Sequence, residues 1–239
     1  MPGMTSTAIP PFCTLLPAAW PTPLALAGAH LVRARFDPAQ LRSDDFADCA
    51  IAPVDGVAKR QGEYLAGRLC ARQALQLLQG RANVPQRGAD GAPQWPTGSV
   101  GSITHSHGQA AALVAHSHAW QGLGLDLEKQ LSPARAARLA GEILTPAELQ
   151  RASGLDELAL AQRVTLTFSL KESLFKALYP LVRQRFYFHD AELLEHASDG
   201  QARLRLLLDL SQAWPAGSQL SGQFASFDGY LLSLVAIAA

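Results

Sequence analysis

Two short segments hold the residues best suited to chemistry. In Gly122-Leu-Gly-Leu-Asp126-Leu-Glu128 two carboxylates stand one residue apart. On a strand, alternate side chains share a face, so Asp126 and Glu128 point the same way while Leu125 and Leu127 turn to the core. Neighbouring carboxylates repel unless a cation joins them or one keeps its proton. Magnesium suits such a pair, because it takes oxygen ligands and few protein carboxylates and leaves positions for water and phosphate. The competing reading is a solvated strand end, and the pair by itself favours that one. The second segment is Phe168-Ser-Leu-Lys171-Glu172-Ser173-Leu-Phe-Lys176-Ala177. On a helix, Glu172 and Lys176 lie four apart on one face, with Phe168 and Phe175 on an apolar side. Taken alone this is a surface ion pair worth about 0.3–0.5 kcal/mol. It gains meaning if the helix brings a third carboxylate to Asp126 and Glu128.

Phosphate binding has its own candidates. Arg60, Tyr64, Arg68 and Arg72 recur every four residues, with Lys59 beside them. Guanidinium groups take phosphate bidentately. The alternative is an ordinary solvated helix face, which is preferred for Arg72. Gly101-Ser-Ile-Thr104-His105-Ser106 ends a predicted strand in a loop, where small hydroxyls beside a His suit a phosphate or a ribose. His107, His116 and His118 follow, but no cysteine or carboxylate stands at zinc spacing among them.

The elements that must position these groups follow from periodicity and punctuation. A helix is predicted over 57–79, stopped by Gly80 and burying Leu65, Leu69, Leu75 and Leu78. Residues 80–98, rich in Gly and Pro, read as loop. Strands are predicted at 100–104, 110–115 and 123–127. Ser132-Pro133 and Thr145-Pro146 each read as an N-cap followed by Pro at the first helical position, and Thr145 with Glu148 forms a capping box. A second long helix is predicted over 158–179, closed by Pro180. Strands at 186–194, 204–208, 220–227 and 230–237 follow, the last two joined by an Asp228-Gly229 hairpin turn. Helix followed by strands occurs once in each half, without a residue-level repeat. The expected organisation is two similar α+β halves, 1–118 with the basic helix and the Thr-His loop and 119–239 with the acidic pair and the Lys-Glu-Ser helix.

Composition limits the partners. Lys+Arg is 20 and Asp+Glu is 20, with 48% hydrophobic and 17% charged residues. No global field recruits nucleic acid or an anionic membrane, so attraction for phosphate must be local. Cys13, Cys49 and Cys70 are odd in number with no CxxC, which argues against a disulfide framework and for a cytoplasmic location. Residues 1–32 carry no Lys, Arg, Asp or Glu, but Pro10, Pro11, Pro17, Pro21 and Pro23 interrupt the apolar run a secretory signal needs. They are expected to form an extended, mostly packed arm. No apolar stretch is long enough to span a bilayer.

Four segments in one order resemble the 4′-phosphopantetheinyl transferase superfamily: Lys59-Arg60-x-x-Glu63-Tyr64-Leu-Ala-Gly67-Arg68; Trp95-Pro96-x-Gly98-x-x-Gly101-Ser-Ile-Thr104-His105-Ser106; Gly124-Leu-Asp126-Leu-Glu128; and Lys171-Glu172-Ser173-x-x-Lys176-Ala177. They span roughly residues 59–177, about half the chain. The pattern is most similar to the bacterial group of enterobactin-synthase-associated and broad-range pseudomonad carrier-protein transferases. The resemblance implies two α+β halves related by a pseudo-two-fold axis, with the donor held in the cleft between them. It implies transfer of phosphopantetheine from coenzyme A to a serine of an apo acyl, peptidyl or aryl carrier protein, with adenosine 3′,5′-bisphosphate released, in fatty-acid or siderophore biosynthesis. It places Mg2+ on Asp126, Glu128 and Glu172. Glu172, directly or through a water, would take the serine proton, and Lys176 would assist the departing phosphate. Thr104 and His105 would hold the nucleotide phosphates, helped by Lys59, Arg60 and Arg68. One departure stands out. Many relatives carry Gly-Lys-Pro where this chain has Gly91-Ala92-Pro93, so a charge contact is missing there, while Arg87 stands where other members place a basic donor-binding residue. Leu139, Ile143 and Leu144 with Arg135 and Arg138 are the candidate carrier contact, with core packing the equal alternative. A monomer is expected. A metal-dependent phosphohydrolase and a non-catalytic carrier-binding module are the rival functions.

Overall fold

A computed structural model describes residues 8–239. The chain forms two compact units: one contains Leu26–Gln121, the stretch before it up to Trp20, and Ala239; the other contains Pro21–Ala25 and Gly122–Ala238.

The first unit lays one long helix on an antiparallel sheet. Its elements are β1 (Cys13–Leu15), β2 (His30–Phe36), a single turn α1 (Asp45–Asp48), α2 (Ala58–Gln79), the two-residue pair β3 (Gln86–Arg87) and β4 (Pro93–Gln94), then β5 (Ser99–Ser106) and β6 (Gln109–His116). The sheet order is β1-β2-β6-β5. Leu65, Leu69, Cys70 and Leu75 of α2 bury against Val32, Ala34 and Phe36 of β2 and Ala110, Ala112 and Val114 of β6, with Leu78 partly buried at the edge. The period of two on both strands matches the sheet face, as half-buried strands require. Gly80 ends α2 at φ 70°, the left-handed cap that glycine adopts without steric penalty. Of the expected arm over 1–32, residues 1–7 lie outside the described residues; from residue 8 it carries the short strand β1 and turns until β2 begins at His30.

The second unit repeats this construction with different parts: β7 (Trp120–Lys129), α3 (Pro133–Ile143), α4 (Pro146–Ala152), α5 (Glu157–Val182), β8 (Ala191–His196), β9 (Gln201–Leu206), β10 (Gln219–Phe227) and β11 (Tyr230–Ala238), with sheet order β7-β11-β10-β9-β8. Ser132 accepts from Arg135 N at 3.4 Å and caps α3. Thr145 and Glu148 form the capping box of α4. Asp228 and Gly229, at φ 51° and 76°, turn the β10–β11 hairpin with two left-handed residues. Two expectations fail here. Pro180 does not close α5, which continues to Val182 and ends at a left-handed Arg183. Proline removes one hydrogen bond near the helix end, while Leu181 and Val182 pack onto the core and hold the last turn. The apolar run at 186–194 opens with a 3-10 turn at Phe188–Asp190, and the strand starts only at Ala191. Among the described residues no helix is long and apolar enough to cross a membrane.

Candidate active site

Glycine decides where α5 meets β7. A Cβ on Gly124 would collide with Ser173 O, and one on Gly122 with Ala177 O. The even-numbered face of β7 therefore lies directly under α5. Asp126 is the next residue on that face and reaches the helix. Its Oδ1 accepts from Lys176 Nζ at 2.6 Å and its Oδ2 from Ser169 Oγ at 2.8 Å. Lys176 Nζ also donates to Leu125 O at 3.3 Å. Asp126 is only 3% exposed, so a solvated strand end is excluded.

Glu172 and Glu128 complete the cluster. Burial pushes the Glu172 carboxyl above its ordinary range, Lys176 pulls it down, and the Asp126 charge pushes it up again. Burial would lower the Lys176 ammonium, but Asp126, Glu172 and Glu128 together outweigh it and raise it. The expected Glu172–Lys176 pair is thus redirected, and Lys176 bonds Asp126 across to the strand. Three carboxylates around one ammonium leave an excess of negative charge. An oxygen-only donor set with that excess fits magnesium. Among the described residues no three His, Cys, Asp or Glu side chains stand at the spacing of a preformed metal site; the ammonium of Lys176 sits on Asp126 instead. Lys171, conspicuous in the motif, is structural. Its buried Nζ donates to Glu148 Oε2 at 2.6 Å and to Ile143 O and Phe188 O at 2.8 Å.

The first unit holds a cavity of about 330 Å³. Arg60, Arg68, Arg87, Glu63, Tyr64 and His105 line it. Arg68 is 5% exposed, its guanidinium lies 4.8 Å from the centre of the Tyr64 ring, and its Nε has no hydrogen-bond partner. A buried donor without an acceptor costs free energy. The Arg87 guanidinium lies beside Gly91, next to Ala92. Glu63 went unassigned in the sequence; it stands 3.8 Å from His105 Nδ1 and 3.9 Å from Lys59 Nζ. Its place four residues after Lys59 was the available signal.

Other expected residues go elsewhere. Lys59 is exposed and does not line the cavity. Thr104 is buried with Ser102 and Ser106 on one face of β5, while His105 and Ile103 occupy the face that lines the cavity. Thr104 and His105 therefore do not share one pocket in this unit. Arg72 is neither solvated nor a clamp. It is buried and donates to Cys49 O at 3.0 Å and Ala8 O at 2.6 Å. The carrier patch also breaks up: Ile143 and Leu144 are core residues with Ala136 and Ala140, and Leu139 packs against them. Only Arg135 and Arg138 face solvent.

Comparison with known proteins bears on both units. Residues 54–115 match the family described as 4'-phosphopantetheinyl transferase N-terminal domain, and residues 122–235 match the 4'-phosphopantetheinyl transferase superfamily. The chain is 36% identical over 195 residues to 4'-phosphopantetheinyl transferase Svp of Streptomyces mobaraensis, covering 77% of this chain and 74% of that one. It is 31% identical to 4'-phosphopantetheinyl transferase Npt of Nocardia iowensis, over 76% and 84% of the two chains. It is 38% identical to enterobactin synthase component D of Escherichia coli K12, over 65% and 74%. Among solved structures, a holo-ACP-synthase from Plasmodium yoelii aligns with TM-score 0.36 at 18% identity, covering 50% of this chain and 95% of that one.

Proposed function

This chain belongs to the 4′-phosphopantetheinyl transferase superfamily, and on that premise we propose that it transfers phosphopantetheine from coenzyme A to a serine of an apo carrier protein. The observation that carries the reading is the meeting of Asp126 on β7 with Glu172 and Lys176 on α5, two motif segments far apart in the chain that come together at one buried carboxylate. Carriers of siderophore or fatty-acid synthesis are the proposed acceptors; the similarity to enterobactin synthase component D supports the former. The chain is proposed to act as a cytoplasmic monomer.

The chemistry assigns each group a task. Arg60, Arg68, Arg87 and His105 would bind the donor's phosphates. Asp126, Glu128 and Glu172 would hold magnesium, which when bound neutralises charge developing on the pyrophosphate. The carrier serine oxygen attacks the phosphorus that bears pantetheine. The bond from that phosphorus to the bridging oxygen breaks, and adenosine 3′,5′-bisphosphate departs. Glu172 would take the serine proton, directly or through a water. Lys176 steadies the departing phosphate with its ammonium.

Product analysis tests this. The chain, coenzyme A and Mg2+ should release adenosine 3′,5′-bisphosphate only when an apo carrier is added. Phosphate release from simple esters without a carrier would instead identify a phosphohydrolase, and carrier binding with no product a non-catalytic module.

A further inference from the structure

The inner face of α5 is polar where a core helix face is normally apolar. Ala161, Thr165, Ser169, Ser173 and Ala177 recur at intervals of four and are fully buried. Thr165 Oγ1 donates to Ala161 O at 2.7 Å and accepts from Leu131 N at 3.1 Å and Gln130 Nε2 at 3.0 Å, tying down the chain as it leaves β7. Beyond it, Ser169 Oγ lies 2.8 Å from Asp126 Oδ2 and 2.8 Å from Ser233 Oγ. Ser173 Oγ lies 2.8 Å from Ser233 Oγ and 3.1 Å from Ser233 O.

Counting protons gives this chain a direction. Each hydroxyl has one proton to donate. Asp126, paired with an ammonium, only accepts, so the Ser169 proton is committed to it. The Ser169–Ser233 bond then requires Ser233 to donate. With that proton used, Ser233 Oγ can only accept from Ser173, whose single proton is shared between Ser233 Oγ and Ser233 O. The relay runs one way from Ser233 through Ser169 to Asp126 Oδ2, with Ser173 behind it, and each bond polarises the next.

We propose that Ser169, supported by Ser233 and Ser173, is a positioning residue that fixes the Asp126 carboxylate so that Oδ1 can exchange the Lys176 ammonium for the divalent cation without the carboxylate turning. The inference rests on the assignment of Asp126 as a cation ligand. Groups that hold a ligand from behind commonly change metal affinity when removed.

The test uses the full chain carrying Ser169→Ala, Ser169→Thr or Ser233→Ala, each checked by thermal melting. Mn2+ binding is measured by electron paramagnetic resonance with coenzyme A and no carrier, beside the Mg2+ concentration that half-saturates transfer. Ser169→Ala should weaken Mn2+ binding and raise the half-saturating Mg2+ by about tenfold, with metal-free coenzyme A binding unchanged. Ser169→Thr, which keeps the hydroxyl, should restore both. Ser233→Ala should shift both less, in the same direction, and carries the test if Ser169→Ala does not fold. Unmoved Mn2+ binding and Mg2+ dependence in the folded variants overturn positioning and leave the transferase reading standing. Loss of Mn2+ binding in Ser169→Ala, together with a wild-type chain that binds Mn2+ but modifies no carrier, supports positioning and sinks the transferase reading.

Discussion

The two units hold charge by opposite means. In the first, Arg60, Arg68, Arg87 and His105 reach an open cavity on long side chains, and most of them are solvated. In the second, Asp126 is sealed under a helix, bonded at both oxygens, with Glu172 and Lys176 supplied by the same turn of α5. A basic cavity of this kind can lose one contact and keep its shape. The acidic cluster exists only because Gly122 and Gly124 let helix and strand touch. Changes in the first unit should therefore alter donor affinity, and changes in the second should alter fold and chemistry together.

The largest break is expected from Asp126→Ala. It should abolish transfer and also destabilise the chain by on the order of 3 kcal/mol, because Lys176 loses its buried partner. Urea denaturation beside the transfer assay checks both, and full stability would show that the carboxylate contributes nothing to the fold. Next is Gly124→Ala, whose methyl group has no room against Ser173 O. Overpacking of this kind should cost about 2–3 kcal/mol and lower transfer even though no charged group is touched; a variant with wild-type stability would mean that α5 does not rest on β7 as described. Arg68→Ala should raise the Michaelis constant for coenzyme A about tenfold, the loss of one charge-assisted bond. An unchanged constant would place Arg68 outside the donor site.

The smallest effect concerns His196, in the second unit but outside its acidic cluster. Burial first, then Arg163, pushes its imidazole below the ordinary value. The folded state then binds fewer protons than the unfolded state just below pH 6.5, so stability falls as pH drops through that window. His196→Gln should flatten this part of the melting-temperature profile without moving transfer at neutral pH. A profile identical to wild type would remove His196 from the account.

The contrast also explains what could be read from the chain. Local signals were sufficient for Gly80, for the Thr145–Glu148 box and for the Asp228-Gly229 turn, because each is settled within a few residues. The carboxylates were legible as a pattern, since spacing and segment order single out Asp126, Glu128, Glu172 and Lys176. Their contacts were not. Which helix covers Gly124, and that Ser233 joins Ser169 to Ser173, depends on packing between distant segments. Ile143 and Leu144 looked like surface candidates because apolar residues beside arginines suit a docking patch as well as a core. The separation of Thr104 from His105 needed only the period of two on a strand, and the appeal of grouping them as one phosphate clamp hid it.

The central claim is tested most directly by the intact mass of an apo carrier protein incubated with the chain, coenzyme A and Mg2+. The account predicts that the carrier gains one phosphopantetheine with the wild-type chain and none with Asp126→Asn. An unmodified carrier with the wild-type chain, or full modification with Asp126→Asn, would contradict it.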